Sequence, residues 1–177
     1  MRHWVAGLFV MGLFACESPL VGLTLLEQSS TVVPGIAGDG GEITEALSKL
    51  ELEISTTQQM QSSRVSLSTV REVVLLDLIL MVADPEEGSL DFIHAIDVYV
   101  GAPGLPDVLV ATLEEVPKGL RDVTLELIDV DLTEYVATEE MTYTTIAVGA
   151  PPTATTTIDV ELALGVYVTA AGLCSSL

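Results

Sequence analysis

Histidine, cysteine, aromatic and basic side chains are all scarce in this chain, and each scarcity removes a class of function. Histidine occurs twice, as His3 and His94, in 177 residues. A Ser-His-Asp or Cys-His arrangement in the body of the chain would have to run through His94, and no Gly-x-Ser-x-Gly elbow supplies a nucleophile. His94 lies beside Asp91 and Asp97, as expected of a surface histidine near carboxylates. Six Lys or Arg face 26 Asp or Glu, a formal net charge of −20. Nucleic-acid binding needs a basic stripe to neutralise phosphates, and the bases here are isolated from one another. The same argument excludes adsorption to anionic headgroups by charge. Aromatics make up 5% of the chain, too few for a broad sugar-stacking platform. No apolar run reaches the roughly 20 residues that a membrane-spanning helix needs.

What the chain does have begins at its first residue. Arg2 leads into an apolar run, Trp4 to Phe14, followed by Ala15-Cys16 and the polar Glu17-Ser18-Pro19. Basic start, short apolar core and small residue before a cleavage point are the grammar of a secretory signal. Leu13-Phe14-Ala15-Cys16 resembles the lipobox of bacterial lipoproteins. That resemblance implies cleavage before Cys16, a diacylglycerol (often with a palmitate-like third chain) on the new first residue, and attachment to the cell envelope. Glu17, in place of the aspartate that retains enteric lipoproteins at the inner membrane, implies the outer membrane. Residues 1–15 are then signal peptide, 16–23 a tether and 24–177 the folded domain. Without Arg2 the balance is 5 − 26 = −21. Three Cys or His remain, Cys16, His94 and Cys174, fewer than the four ligands of a structural zinc site. A lipidated Cys16 leaves Cys174 a lone thiol; a free Cys16 leaves a Cys16–Cys174 bridge open.

Along the body, alternation dominates. Leu23–Val33 is expected as a first strand, ended by Pro34-Gly-Ile-Ala-Gly-Asp-Gly-Gly41. Ile43 onward is expected to begin as a helical turn, and Leu50–Ile54 alternates as a half-buried strand. Gln58–Ser68 reads as loop or short helix, with Thr69-x-x-Glu72 able to cap a turn. Val70–Val82 reads as a central strand, its β-branched residues and the following Asp84-Pro-Glu-Glu-Gly88 turn favouring strand over helix. Ala95–Val100, Val108–Leu113, Val123–Leu127 and Thr142–Val148 follow, with a Pro/Gly connection at Gly101–Pro106 and an Asx-type or helical turn at Asp129–Tyr135. Ile158, Val160, Leu162, Leu164, Val166 and Val168 take every second position of the last segment. Periodicity of two over that length means a strand covering a core on one side.

About eight strands with turn signals between them predict an all-β antiparallel β-sandwich, jelly-roll or immunoglobulin-like, with a small β-barrel as the alternative. A lipid-spanning barrel would need apolar outward faces, and here those faces carry Asp and Glu. The stretch from about residue 50, through Tyr99-Val-Gly-Ala-Pro-Gly-Leu-Pro106 and Asp129-Val-Asp-Leu-Thr-Glu-Tyr135, resembles exported β-sandwich proteins of Gram-negative bacteria, a likeness that implies no activity.

Carboxylates are the one abundant chemical resource. Hard oxygen ligands suit Ca²⁺, and two acidic turns offer them: Asp84, Glu86, Glu87 and Asp91, and Asp129 and Asp131 with Glu134. Neither has EF-hand spacing, and solvated acidic turns are the simpler reading. The function expected is a non-enzymatic envelope lipoprotein serving as a structural, binding or interaction module, whose partners are the membrane through its anchor and other envelope proteins. The alternatives are a cation-dependent adhesive or carbohydrate-binding module, and a hydrolase working through paired carboxylates.

Overall fold

The computed structural model describes residues 20–35, 52–53, 67–138 and 140–169. The lipobox with Cys16, the lone Cys174 and the segments expected at 43–49 and 58–66 lie outside the described residues. Among the described residues nine strands form in chain order: β1 (Leu20–Val33), β2 (Leu52–Glu53), β3 (Val70–Asp84), β4 (Ile93–Ala102), β5 (Leu105–Leu113), β6 (Asp122–Thr124), β7 (Glu126–Leu127), β8 (Thr142–Gly149) and β9 (Thr156–Thr169). One helical turn, α1 (Thr133–Val136), precedes β8.

The strands make two antiparallel sheets, ordered β1-β9-β3-β6 and β2-β8-β4-β5-β7. If β6 and β7 are taken as one sixth strand, the pairs run first with last, second with second-last, third with sixth and fourth with fifth. That is one long hairpin ribbon rolled up until β9 meets β3 and β8 meets β4. The rolled ribbon is a jelly roll. It is therefore neither the immunoglobulin-like sandwich nor the closed barrel, since each sheet keeps its own edges.

β9 is the spine. It pairs with β1 from Leu20↔Thr169 to Val33↔Thr156 and with β3 from Val70↔Val168 to Asp84↔Thr157. All six alternating apolar residues of β9 are buried, with Ile158 and Leu164 fully so. They meet Ile96, Val98 and Val100 of β4 and Tyr143 of β8 in a single core. Each such side chain contributes about 1.5–3 kcal/mol by leaving water. A β-bulge between Leu75 and Asp77 absorbs the acid that interrupts the apolar run of β3. It turns Leu76 to the outer face, where the side chain lies against Gly165.

Three local expectations change. The first strand begins at Leu20 rather than Leu23, already paired with Thr169. Thr69 and Glu72 cap nothing helical: a 3₁₀ turn at Leu67–Thr69 runs directly into β3, which holds Glu72. Val123–Leu127 is not one strand. It divides at the buried Leu125, β6 joining β3 in one sheet and β7 joining β5 in the other. A strand that turns the corner of a sandwich must break alternation at the bend, which leaves Leu127 exposed.

The Pro/Gly connection behaves as its residues require. Ala102 pairs with Leu105, so Pro103 and Gly104 are the central residues, and Gly104 has φ +82°. Proline first and a positive-φ glycine second define a type II turn.

Candidate functional site

Asp84, Glu86, Glu87, Asp91, Asp129, Asp131 and Glu134 are all exposed. Among the described residues no group of three or more His, Cys, Asp or Glu is arranged to hold a metal ion. Like charges on successive turn residues separate into water, and two of them take local structural work instead. Asp91 accepts from the Gly119 N–H at 2.5 Å, fixing a turn whose glycine has φ +76°. Asp131 accepts from the Thr133 N–H at 2.9 Å and from the Thr133 hydroxyl, closing the Asx turn ahead of α1. Those bonds favour the charged form, chiefly the hydroxyl's, and hold the Asp131 carboxyl below the ordinary carboxylate range. His94 is exposed on β4, and its carbonyl accepts from Val116.

Sequence reasoning missed a polar feature between the sheets. Tyr143 on β8 is 1% exposed, and its hydroxyl has no hydrogen-bond partner among the described residues. Alternation on β1 points Glu27 inward too, because it pairs with the buried Leu162 and lies two residues from the buried Leu25. Burial raises the Glu27 carboxyl above its usual 4.5. Burial chiefly, with the Glu27 charge added, pushes the Tyr143 phenol far above its usual value. The signal was legible only after pairing was known: a glutamate at an apolar position of β1.

A hydrolase would need two carboxyls within mutual reach. Glu27 borders a small hollow of about 100 Å³ with Asp77 and Glu161. Asp77 pairs with Ala163 on the outer face, and Glu161 accepts from Gln28 Nε2 at 2.6 Å there. Glu27 points to the other side of the sheet, so it does not pair with Asp77 or Glu161. Its position has a structural explanation. β1 is an edge strand, and an inward charge on an edge discourages another strand from adding.

Removing the unpartnered hydroxyl tests this description. Tyr143→Phe should raise stability by about 1 kcal/mol, because a buried unsatisfied group costs about 1–3 kcal/mol. A urea melt that instead shows a loss would mean the hydroxyl is satisfied. Glu27 adds a pH signature. Its folded pKa is raised, so its contribution is most favourable below 4.5 and is lost as pH rises through the folded value. The stability of Glu27→Gln relative to the unsubstituted protein should therefore grow over that interval. A difference independent of pH would contradict an inward carboxyl.

Two open clefts also lie among the described residues. One, of about 500 Å³, lies at the end of the sandwich between Pro85–Phe92 and Ala150–Thr156. The other, of about 350 Å³, lies at the rim of β3 beside Leu127–Val130.

No family model matches the chain, and no curated protein matches it either. Solved structures with a similar overall path include a chain of turnip yellow mosaic virus, 14% identical with a TM-score of 0.33, covering 85% of this chain and 96% of its own. A mud crab tombus-like virus chain is 11% identical, with a TM-score of 0.33 and coverage of 86% and 90%. A chain of Desmodium yellow mottle tymovirus is 9% identical, with a TM-score of 0.27 and coverage of 96% and 93%. Likeness at this level adds no argument. The jelly roll stands on the chain's own strand pairing.

Proposed function

We propose that this chain is an envelope lipoprotein, anchored through Cys16 in the outer membrane, whose acidic jelly roll is a non-enzymatic interaction module. The observation supporting it most is the distance between anchor and fold. β1 begins at Leu20, four residues after Cys16. An extended chain spans at most about 3.3–3.6 Å per residue, so the first paired residue lies within roughly 14 Å of the Cys16 Cα. Two or more acyl chains hold a protein durably on a bilayer. Such an anchor would seat the sandwich against the headgroups, while a net charge of −21 (5 bases, 26 acids after residue 15) keeps the body off anionic lipid.

Mass spectrometry of the N-terminal peptide from a membrane fraction tests the proposal. A peptide beginning at Cys16 and carrying a diacylglyceryl mass is expected. A peptide beginning at Met1, or an unmodified Cys16, would overturn it.

A further inference from the structure

Between Val73 and Val82 the rim of β3 is closed at every residue but one among the described residues. In an antiparallel strand, alternate residues direct both N–H and C=O to the same side. From Val73 onward the residues of β3 facing away from β9 are Val73 and Leu75, then, past the bulge at Leu75, Leu78, Leu80 and Val82. Val73 donates to the Thr133 hydroxyl at 3.0 Å and accepts from the Leu132 N–H at 2.7 Å. The Leu78 carbonyl accepts from Leu125, and Leu80 pairs with Val123 of β6. Val82 bonds Arg121 through both its N–H and its carbonyl. Leu75 alone in this series has no partner on that side among the described residues.

The 350 Å³ cleft opens at this point. Val74, Leu75, Leu127, Ile128 and Tyr167 line it together with the acidic Glu72 and Asp129. Ile128 is held there by its own N–H bond to the Val110 carbonyl, and its side chain remains 40% exposed. The cleft therefore offers a strand edge one residue long that is unpaired among the described residues, with apolar walls and negative charge. Chains that add to a sheet edge draw affinity from backbone bonds and specificity from alternate side chains.

The geometry points to a docking site for a short extended peptide from a basic partner protein, pairing with Leu75 and placing Lys or Arg against Glu72 and Asp129. Charge decides against a second copy of this chain as occupant. Each copy carries −20 overall, and like-charge juxtaposition opposes the encounter. The segment that blocks the rest of the rim explains why the site is short: α1 closes it at Val73, and Leu125 with β6 closes it from Leu78 onward.

This inference rests on the interaction-module reading, and its test does not involve the anchor. The purified full chain would be titrated with a fluorescent heptapeptide of alternating Lys and Val, its Glu-for-Lys counterpart, and a Lys/Val peptide N-methylated at its central residue. Anisotropy should rise for the Lys/Val peptide alone, with affinity falling as salt is added. Amide exchange at Leu75 should slow by at least tenfold at saturation. Glu72→Gln with Asp129→Asn should weaken binding by about tenfold while leaving the melting temperature near that of the unsubstituted chain. Equal binding of the N-methylated peptide would overturn the proposal. So would binding without protection at Leu75, an unaffected double variant, or no binding at millimolar peptide. Preference for the Glu peptide, or saturation by Ca²⁺ in place of peptide, would equally overturn it.

Discussion

Leu164→Ala should lower the unfolding free energy by about 2–5 kcal/mol, the usual range for emptying a fully buried leucine site. Leu164 is 0% exposed at the middle of β9, level with Leu25 on one side and Leu75 on the other. Both neighbouring strands are fixed by long ladders, so the walls around the deleted side chain have little room to collapse. For a domain of this size that corresponds to a fall in Tm of roughly 5–20 °C. Glu161→Gln, three residues earlier and on the opposite face, should move Tm by no more than about 2 °C, as surface changes away from special features do. The pair of melts reads the inward and outward faces of one strand directly. If Leu164→Ala melts with the unsubstituted protein, the two-sheet core is wrong.

Gly149→Ala is the second large effect, and its cause is backbone rather than cavity. A Cβ at position 149 would sit 2.1 Å from the Phe92 carbonyl oxygen and 2.9 Å from Ile93 Cα. Those atoms belong to the start of β4, where Ile93 pairs with Gly149 and the Ala150 N–H bonds the same Phe92 oxygen. No flexible side chain can yield, so β4 and β8 must part at that end. Overpacking typically costs about 1–3 kcal/mol, and a clash with main-chain atoms belongs at the upper end of that range or beyond. Gly104→Ala is the comparison. Gly104 has open space around it but φ +82°, so it should lose only the left-handed penalty of about 1–2 kcal/mol. Chemical denaturation of both variants should rank Gly149→Ala well below Gly104→Ala. The reverse order would contradict the close approach of the two strands.

Much of this fold is legible in the residues because burial is one-sided. The alternation of β9, the Ile96-Val98-Val100 face of β4 and the Pro103-Gly104 turn each follow from local chemistry, and each lies where its pattern requires. What alternation does not encode is partner choice. Val123-Leu125-Leu127 has the pattern of one strand, yet the chain crosses between sheets at Leu125, because β3 and β5 lie on opposite layers. The same crossing creates the rim cleft, so a site built from Leu75 and Ile128 could not be read from either segment alone. The acidic turns show the converse. Clustered carboxylates in sequence look like ligands, whereas in space Asp91 and Asp131 satisfy nearby N–H groups. Glu27 and Tyr143, 116 positions apart, meet only through the rolled ribbon.

Where the protein lives decides what such a cleft encounters. Cys16→Ala, expressed beside the unsubstituted chain and separated into membrane and soluble fractions, measures this most directly. The unsubstituted chain should sediment with membranes and resist high-salt extraction, while Cys16→Ala should move into the soluble fraction. A Cys16→Ala chain still wholly bound to membranes would contradict an anchor at that sulfur.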